Sequence, residues 1–378
     1  MSREISVLIA PDKFKGSATA RTVAEALTHG IRCSAPRATV DTRPIADGGD
    51  GTVAVLLSSG HQALTVPSAD ALGKPTTAIV ATSGHTAVIE MASACGLTVA
   101  SLADPLQASS LGLGVALRHV IDLGFQDIII GLGGSASTDG GLGLIMALGA
   151  KGFAADGLHV TPDAHGLLAL HSLDTTDLSV SADLCLRVAC DVSSPLHGPR
   201  GAAMQFGPQK GASNVEVLEL DAALVRLGTV LKDTFGTDPS GVPGAGAAGG
   251  TAAMAVAALG GVIVDGADFV LDVLHMNHAL GECDIVITGE GSWDSQSAMG
   301  KGPGRLAELA HAAGIPVIVV AGQVASNARD SQGVVEYWSL ADHARSTAVA
   351  QRDVEPLLIA AGEDIGLRLS SLAERRPK

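Results

Sequence analysis

The chain has 378 residues, of which 47% are hydrophobic but only 2% aromatic, and its formal net charge is −15. That length is enough for two domains with proper cores. The acidic balance argues against a nucleic-acid surface, which needs clustered Lys and Arg, and with Tyr337 as the one tyrosine a base-stacking platform is not expected either.

Residues 5–10 read as an apolar strand. It ends in Pro11-Asp12-Lys13-Phe14-Lys15-Gly16-Ser17, with Ser17 as the expected N-cap of a helix over 20–31. Asp12, Lys13 and Lys15 thus stand at the carboxyl end of a strand, where open α/β sheets bind ligands. A second strand, 39–43, ends in Ala46-Asp47-Gly48-Gly49-Asp50-Gly51 before a helix over 52–59. Two carboxylates among glycines can hold magnesium or orient hydroxyls. Alternating apolar residues at 63–66, 76–81 and 86–89 predict short strands of a second, less regular sheet.

A helix over 109–123 leads to the stretch around which the chain is organised. Ile128, Ile129 and Ile130 predict a buried strand. Gly131-Leu132-Gly133-Gly134-Ser135-Ala136-Ser137-Thr138-Asp139-Gly140-Gly141 follows, then helical composition over 142–150. A glycine turn between strand and helix is a natural anion site, because the backbone comes close and the first helical N–H groups point at the ligand. Ser135, Ser137 and Thr138 add hydroxyls, and Asp139 is a candidate cation ligand.

Residues 151–183 read as broken chain. A strand over 184–190 ends in Asp191, a candidate catalytic or metal carboxylate. Gly207-Pro208-Gln209-Lys210-Gly211 places a lysine in a sharp turn, and 214–235 is a regular amphipathic helix. A second glycine loop, 243–250, precedes another helix. The uncharged run 239–264 has membrane length, but its glycines, alanines, Pro239 and Pro243 favour a loop leading into a buried helix. His275 and His278 form an H-x-x-H with no third ligand, read as structural or exposed rather than as a metal site. A strand over 284–288 ends in a third glycine-rich turn that gathers Glu290, Asp294, Gln296 and Lys301. A helix over 304–313, strands over 315–321 and 334–340, and a closing helix over 349–372 complete the chain.

Cys33, Cys95, Cys185, Cys190 and Cys283 include no C-x-x-C, and the odd separation of Cys185 and Cys190 puts them on opposite strand faces. Free thiols, and a start that runs into a strand without a secretory h-region, are expected of a cytoplasmic protein.

Common signatures fail in detail. G-x-x-x-x-G-K-[ST], G-x-S-x-G and the protein-kinase motifs are absent. Gly131, Gly133 and Ala136 fit a loose G-x-G-x-x-A, which keeps an NAD(P)-dependent dehydrogenase of a small hydroxy acid as an alternative, although no acid-ended strand follows about twenty residues on. A non-catalytic sensor of a small acid is the other alternative.

Seven stretches in order resemble type I glycerate kinases: IAPDKFKGS (9–17), ADGGDGT (46–52), IGLGGSASTDGG (130–141), ACDVSSPL (189–196), FGPQKGA (206–212), PGAGAAGG (243–250) and ITGEGSWDSQSAMGKGP (287–303). The family commonly has Ser where Lys13 stands, Glu for Asp50, Asn for Thr138, Arg for Ser292 and Thr for Ser297. The resemblance implies phosphorylation of D-glycerate with ATP and Mg2+, with the 2-position favoured. It also implies a two-domain α/β fold. A Rossmann/flavodoxin-like parallel-sheet domain comes from both chain ends (1–68 plus 282–378). A second α/β domain (69–281) is inserted from the middle, and the active site lies in the cleft between them.

Residue type and loop position, taken with the resemblance, assign expected roles. Gly133, Gly134, Ser135, Gly140, Gly244, Gly246 and Gly249 would bind ATP phosphates. Lys15 and Lys301 would meet the glycerate carboxylate or the moving phosphoryl group, and Lys13, Ser17, Asp47 and Gln296 the substrate. Asp191 is the first choice for the base, Asp294 the second. Asp47, Asp139 and Glu290 are the expected magnesium ligands. Glycerate and ATP are the expected partners, with no nucleic acid and no membrane. The oligomeric state stays open, a homodimer included.

Overall fold

The computed structural model describes residues 4–97, 104–181, 183–295, 297, 302–344 and 346–375. Strands β1 (Ser6–Ile9) and β2 (Thr39–Thr42) flank the helix Ala20–Ser34. A meander of β3 (Gln62–Ala69), β4 (Pro75–Ser83) and β5 (Thr86–Glu90) follows. Next come β6 (Asp127–Gly131), a small antiparallel pair β7 (Lys151–Ala154) and β8 (Leu170–Asp174), β9 (Cys185–Cys190) and β10 (Val262–Asp265). The chain closes with β11 (Ile285–Thr288), the short β12 (Ser292–Trp293), β13 (Val317–Ala321), the short β14 (Gln323–Val324) and β15 (Val334–Ser339).

These elements divide into two compact units. Unit 1 comprises Met1–Asp47, Ala54–Ser59 and Gly266–Lys378; unit 2 comprises Gly48–Val53 and Gly60–Asp265. The expected boundaries, 68/69 and 281/282, are thus displaced at both ends, for physical reasons. β3 pairs with β4 over its full length, from Gln62↔Thr82 to Ala69↔Pro75, and so belongs to unit 2. The helices Gly266–Val273 and Met276–Glu282 are tied into unit 1, where the Arg43 guanidinium donates to the Leu274 carbonyl and Arg305 pairs with Asp268.

Unit 1 holds a five-stranded parallel sheet in the order β15-β13-β11-β1-β2. Both chain ends supply it: Val7 lies beside Ile285 on one side and Val40 on the other. Successive side chains point to opposite faces. Val7, Ile9, Ile285, Ile287, Ile318 and Val320 therefore share one face, covered by the helices Ala20–Ser34 and Val354–Ala373. Those two helices cross at glycines. A Cβ on Gly30 would sit 2.1 Å from the Ile359 carbonyl, so only glycine permits the approach. In sheet order the strands run second, first, third, fourth, fifth along the chain. The reversal between β1 and β11 is a switch point, where neighbouring strand-end loops splay apart and leave room for a ligand.

Unit 2 is a mixed six-stranded sheet, β10-β9-β6-β5-β4-β3, parallel from β10 to β5 and antiparallel beyond. Its core is built from leucine, valine, isoleucine and alanine. The stretch read as broken chain contains β7, β8 and the helix Ala164–Ala169. The run 239–264 divides into a loop, the helix Thr251–Leu259 and β10. Among the described residues no helix is long and apolar enough to cross a membrane.

Candidate active site

The switch point of unit 1 carries its acidic residues. The β1 ladder continues as Ala10 and Asp12 donate to the Ile287 and Gly289 carbonyls, both at 2.8 Å, and the Thr288 hydroxyl donates to the Ala10 carbonyl. Gly289 has φ +156, and a Cβ there would overlap the Val320 carbonyl, so this strand end accepts only glycine. Asp12 is 7% exposed. Its Oδ1 accepts the Lys13 N–H at 2.6 Å. Burial pushes the Asp12 carboxyl up to about 7. Lys13 opposes the shift, through its charge and its N–H, while Asp47 and Glu290 add to it.

The next residues form a tight turn. Phe14 is buried, and its carbonyl accepts the Ser17 and Ala18 N–H groups and the Ser17 hydroxyl. Gly16 takes φ +80 at the tip, leaving Lys15 exposed. Ser17 is therefore a turn closer. The helix cap is Thr19, whose Oγ1 accepts the Thr22 N–H at 3.1 Å, which corrects the sequence expectation. Beyond β11, the fully buried Trp293 anchors the segment through its indole N–H to the Ala328 carbonyl and Ser331 Oγ. Asp294, half-buried, accepts the Ser297 N–H in a local turn. Gln296 and Lys301 lie outside the described residues.

In unit 2 the long glycine loop is shaped by other loops. A Cβ on Gly131 would lie 2.5 Å from the Gly48 carbonyl, and one on Gly133 2.5 Å from the Gly49 Cα. Gly140 donates to the Gly249 carbonyl at 3.0 Å. A Cβ on Gly249 would meet the Ser137 carbonyl at 2.4 Å, and one on Gly246 the Pro195 carbonyl at 2.3 Å. Gly134, Gly244 and Gly249 also have positive φ. The close approach these glycines permit is thus loop against loop: 48–50 on 131–133, 249 on 137–140, and 246 on 194–195. The Gly131 and Gly133 faces are occupied by protein backbone, so the dinucleotide fingerprint fails on geometry as well as on spacing.

Asp139 departs from its expected role as a magnesium ligand. It is fully buried, and its Oδ2 accepts the Ser110 N–H (2.8 Å), the Ser110 hydroxyl (2.6 Å) and the Gly143 N–H (3.1 Å), while Oδ1 accepts the Gly141 N–H (3.3 Å). Ser110 Oγ accepts in turn from the Leu144 N–H at 2.9 Å. The amides starting the helix Leu142–Ala147 are spent on this clamp, so the expected anion site at its N-terminus is capped by the protein itself. The loop still offers donors further back. Among the described residues, the N–H groups of Ser137 and Thr138 and the buried Ser137 hydroxyl meet no acceptor. Asp191 is exposed at the end of β9. Glu90, at the end of β5, accepts the Val53 N–H at 3.0 Å.

The chain matches the glycerate kinase family over residues 7–370. This chain belongs to the glycerate kinase family. It is 40% identical over 341 residues to glycerate 2-kinase of Escherichia coli strain K12, covering 88% of this chain and 87% of the relative. It is 35% identical over 370 residues to a glycerate kinase of Halalkalibacterium halodurans, covering 96% and 97%. A crystal structure from Salmonella typhimurium LT2, provisionally described as glycerate kinase 2, superposes with a TM-score of 0.84 at 34% identity, covering 98% of this chain and 99% of that one.

In this glycerate kinase two buried groups stand out that the sequence reading left out of the site. Asp12 was visible at a strand end, but its burial beside Asp47 and Glu290 arises only when β1 and β11 pair. Lys210 was read only as a lysine in a sharp turn. It is 6% exposed, and its ammonium group donates to Ser135 Oγ at 2.8 Å and to the Ser137 carbonyl. A charged residue inside a Gly-Pro-Gln-Lys-Gly turn gave no local signal of burial.

Proposed function

We propose that this glycerate kinase moves the terminal phosphoryl group of ATP onto the 2-hydroxyl of D-glycerate. The family match along nearly the whole chain carries the reading. The relative named glycerate 2-kinase supports the position. The glycerate hydroxyl oxygen attacks the γ-phosphorus, the bond to the β-γ bridging oxygen breaks, and the hydroxyl proton passes to a carboxylate. Such a transfer asks the protein mainly to position two substrates and to neutralise charge.

The 135–138 stretch of unit 2 is the proposed phosphate contact, supported by its unmatched N–H and hydroxyl donors. Gly133, Gly134, Gly140, Gly244, Gly246 and Gly249 serve it by letting the surrounding loops close on one another. Asp191 is the proposed base, with Asp294 second. Lys13, Lys15 and Ser17 on the turn after β1 are assigned to the substrate carboxylate, joined by Gln296 and Lys301. Magnesium favours hard oxygen ligands, often one or two carboxylates with substrate phosphates and water. Among the described residues no three His, Cys, Asp or Glu gather into a complete cage. A grip through Asp47 and Glu290, which both already act on Asp12, fits that pattern. When bound, the ion would offset phosphate charge.

The test is incubation with ATP, magnesium and D-glycerate, followed by phosphorus NMR. A phosphomonoester doublet, from coupling to one carbon-bound proton, is expected. A triplet would move the transfer to the 3-hydroxyl. Stabilisation by glycerate without any ADP formation would favour the sensor.

A further inference from the structure

A buried ammonium group lies behind the proposed phosphate loop. An ammonium group only donates, and a serine hydroxyl that accepts from it keeps its own proton to give elsewhere. Lys210 donates to Ser135 Oγ, and Ser135 makes no other hydrogen bond among the described residues. The Ser135 proton must therefore point away from Lys210. On the same loop the Ser137 hydroxyl, at 0% exposure, also meets no partner, while its carbonyl is taken by Lys210. Two hydroxyls thus carry protons that no described residue accepts, and a positive charge polarises one of them. Charge-assisted donors of this kind suit an oxyanion.

We propose that Lys210 is a positioning residue, which orients the Ser135 hydroxyl so that Ser135 and Ser137 donate to a phosphate oxygen of the bound nucleotide. This deepens the kinase reading and rests on its placement of the nucleotide phosphates at the 135–138 stretch. Burial lowers the Lys210 group to about 8; the charge of Asp139 partly offsets this, and Cys95 would do so only as a thiolate. Cys95 is itself pushed up to about 12 by burial and is a neutral thiol at working pH. Once Lys210 loses its proton, its nitrogen can accept from Ser135. The hydroxyl then turns inward, and the outward donor is lost.

The experiment measures ADP binding by calorimetry and kcat/KM for ATP between pH 6.5 and 9.5, for the wild type, S135A and K210M. Wild-type ADP affinity should fall as pH rises through about 8. At pH 7, S135A should lose about ten- to a hundredfold in kcat/KM for ATP, as expected for one hydrogen bond to a charged group, with the KM for glycerate nearly unchanged, and should lack the alkaline fall. K210M should behave like S135A. If K210M does not fold, S135A and the wild-type profile decide alone. Wild-type ADP affinity in S135A, or a retained alkaline fall, would overturn the proposal. So would equal losses toward both substrates, which mark a packing defect. Absence of turnover with an intact Ser135-dependent ADP profile would overturn the kinase reading and leave the nucleotide subsite standing; absence of ADP binding would overturn both.

Discussion

Replacing Asp12 with Asn should stabilise unit 1 in a way that grows with pH. The Asp12 carboxyl rises from an ordinary 3.8 to about 7, chiefly through burial. The folded state therefore holds this proton more tightly than the unfolded chain. The stabilisation is complete below 3.8 and is lost as pH rises through about 7. Above that point the buried charge costs on the order of 4 kcal/mol relative to a side chain that never ionises. The advantage of D12N over wild type should rise by about 1.4 kcal/mol per pH unit through the intervening range, then level off. The chain's two tryptophans, Trp293 and Trp338, both lie in unit 1, so their fluorescence during urea unfolding reports on that unit alone. Buffers with EDTA keep divalent cations from the neighbouring carboxylates. A difference that is flat with pH, or that grows as pH falls, would refute the account of Asp12 as a buried, crowded carboxylate. The same variant should turn over poorly, because groups kept at a cost in stability tend to serve function.

Ser110→Ala removes the hydroxyl that donates to Asp139 and accepts from Leu144. It should cost unit 2 about 2 to 4 kcal/mol and speed hydrogen exchange at the 141–144 amides; unchanged exchange there would rule out the clamp. Asp191→Asn should lower kcat by on the order of a hundred- to ten-thousandfold with an intact melting transition. Near-wild-type turnover would remove Asp191 as the base and turn attention to Asp294.

Local patterns located most elements. The helix Asn214–Phe235 was bounded correctly because both ends carry local signals: a Ser213 and Glu216 capping box, and Gly236 in the left-handed conformation. The closing helix was predicted as one piece but breaks at Asp353, and Pro356 falls in the first turn of the second piece, where its missing N–H is harmless. The glycine loops were found for a sound reason, but the close neighbour that their missing Cβ atoms admit is another loop. A glycine announces that something comes close, without saying whether it is a ligand or another loop. That Gly133 faces Gly49, or Asp139 faces Ser110, is a long-range fact that no local spacing encodes. The same limit hid the burial of Asp12 and Lys210.

The first strand of the unit 1 sheet has one of its two partners far down the chain: Val7 aligns with Ile285. The bond from Thr288 to Ala10 spans 278 residues. At a synthesis rate of roughly 5–20 residues per second, β1 waits roughly 15 to 55 s for β11 to be made. Meanwhile the unit 2 sheet, whose strands all lie between residues 62 and 265, is fully synthesised. A ribosome halted just after residue 265 has emerged from its exit tunnel would therefore display a finished unit 2 and an apolar β1 edge whose β11 partner is not yet available, and it is at that edge that chaperones would be needed.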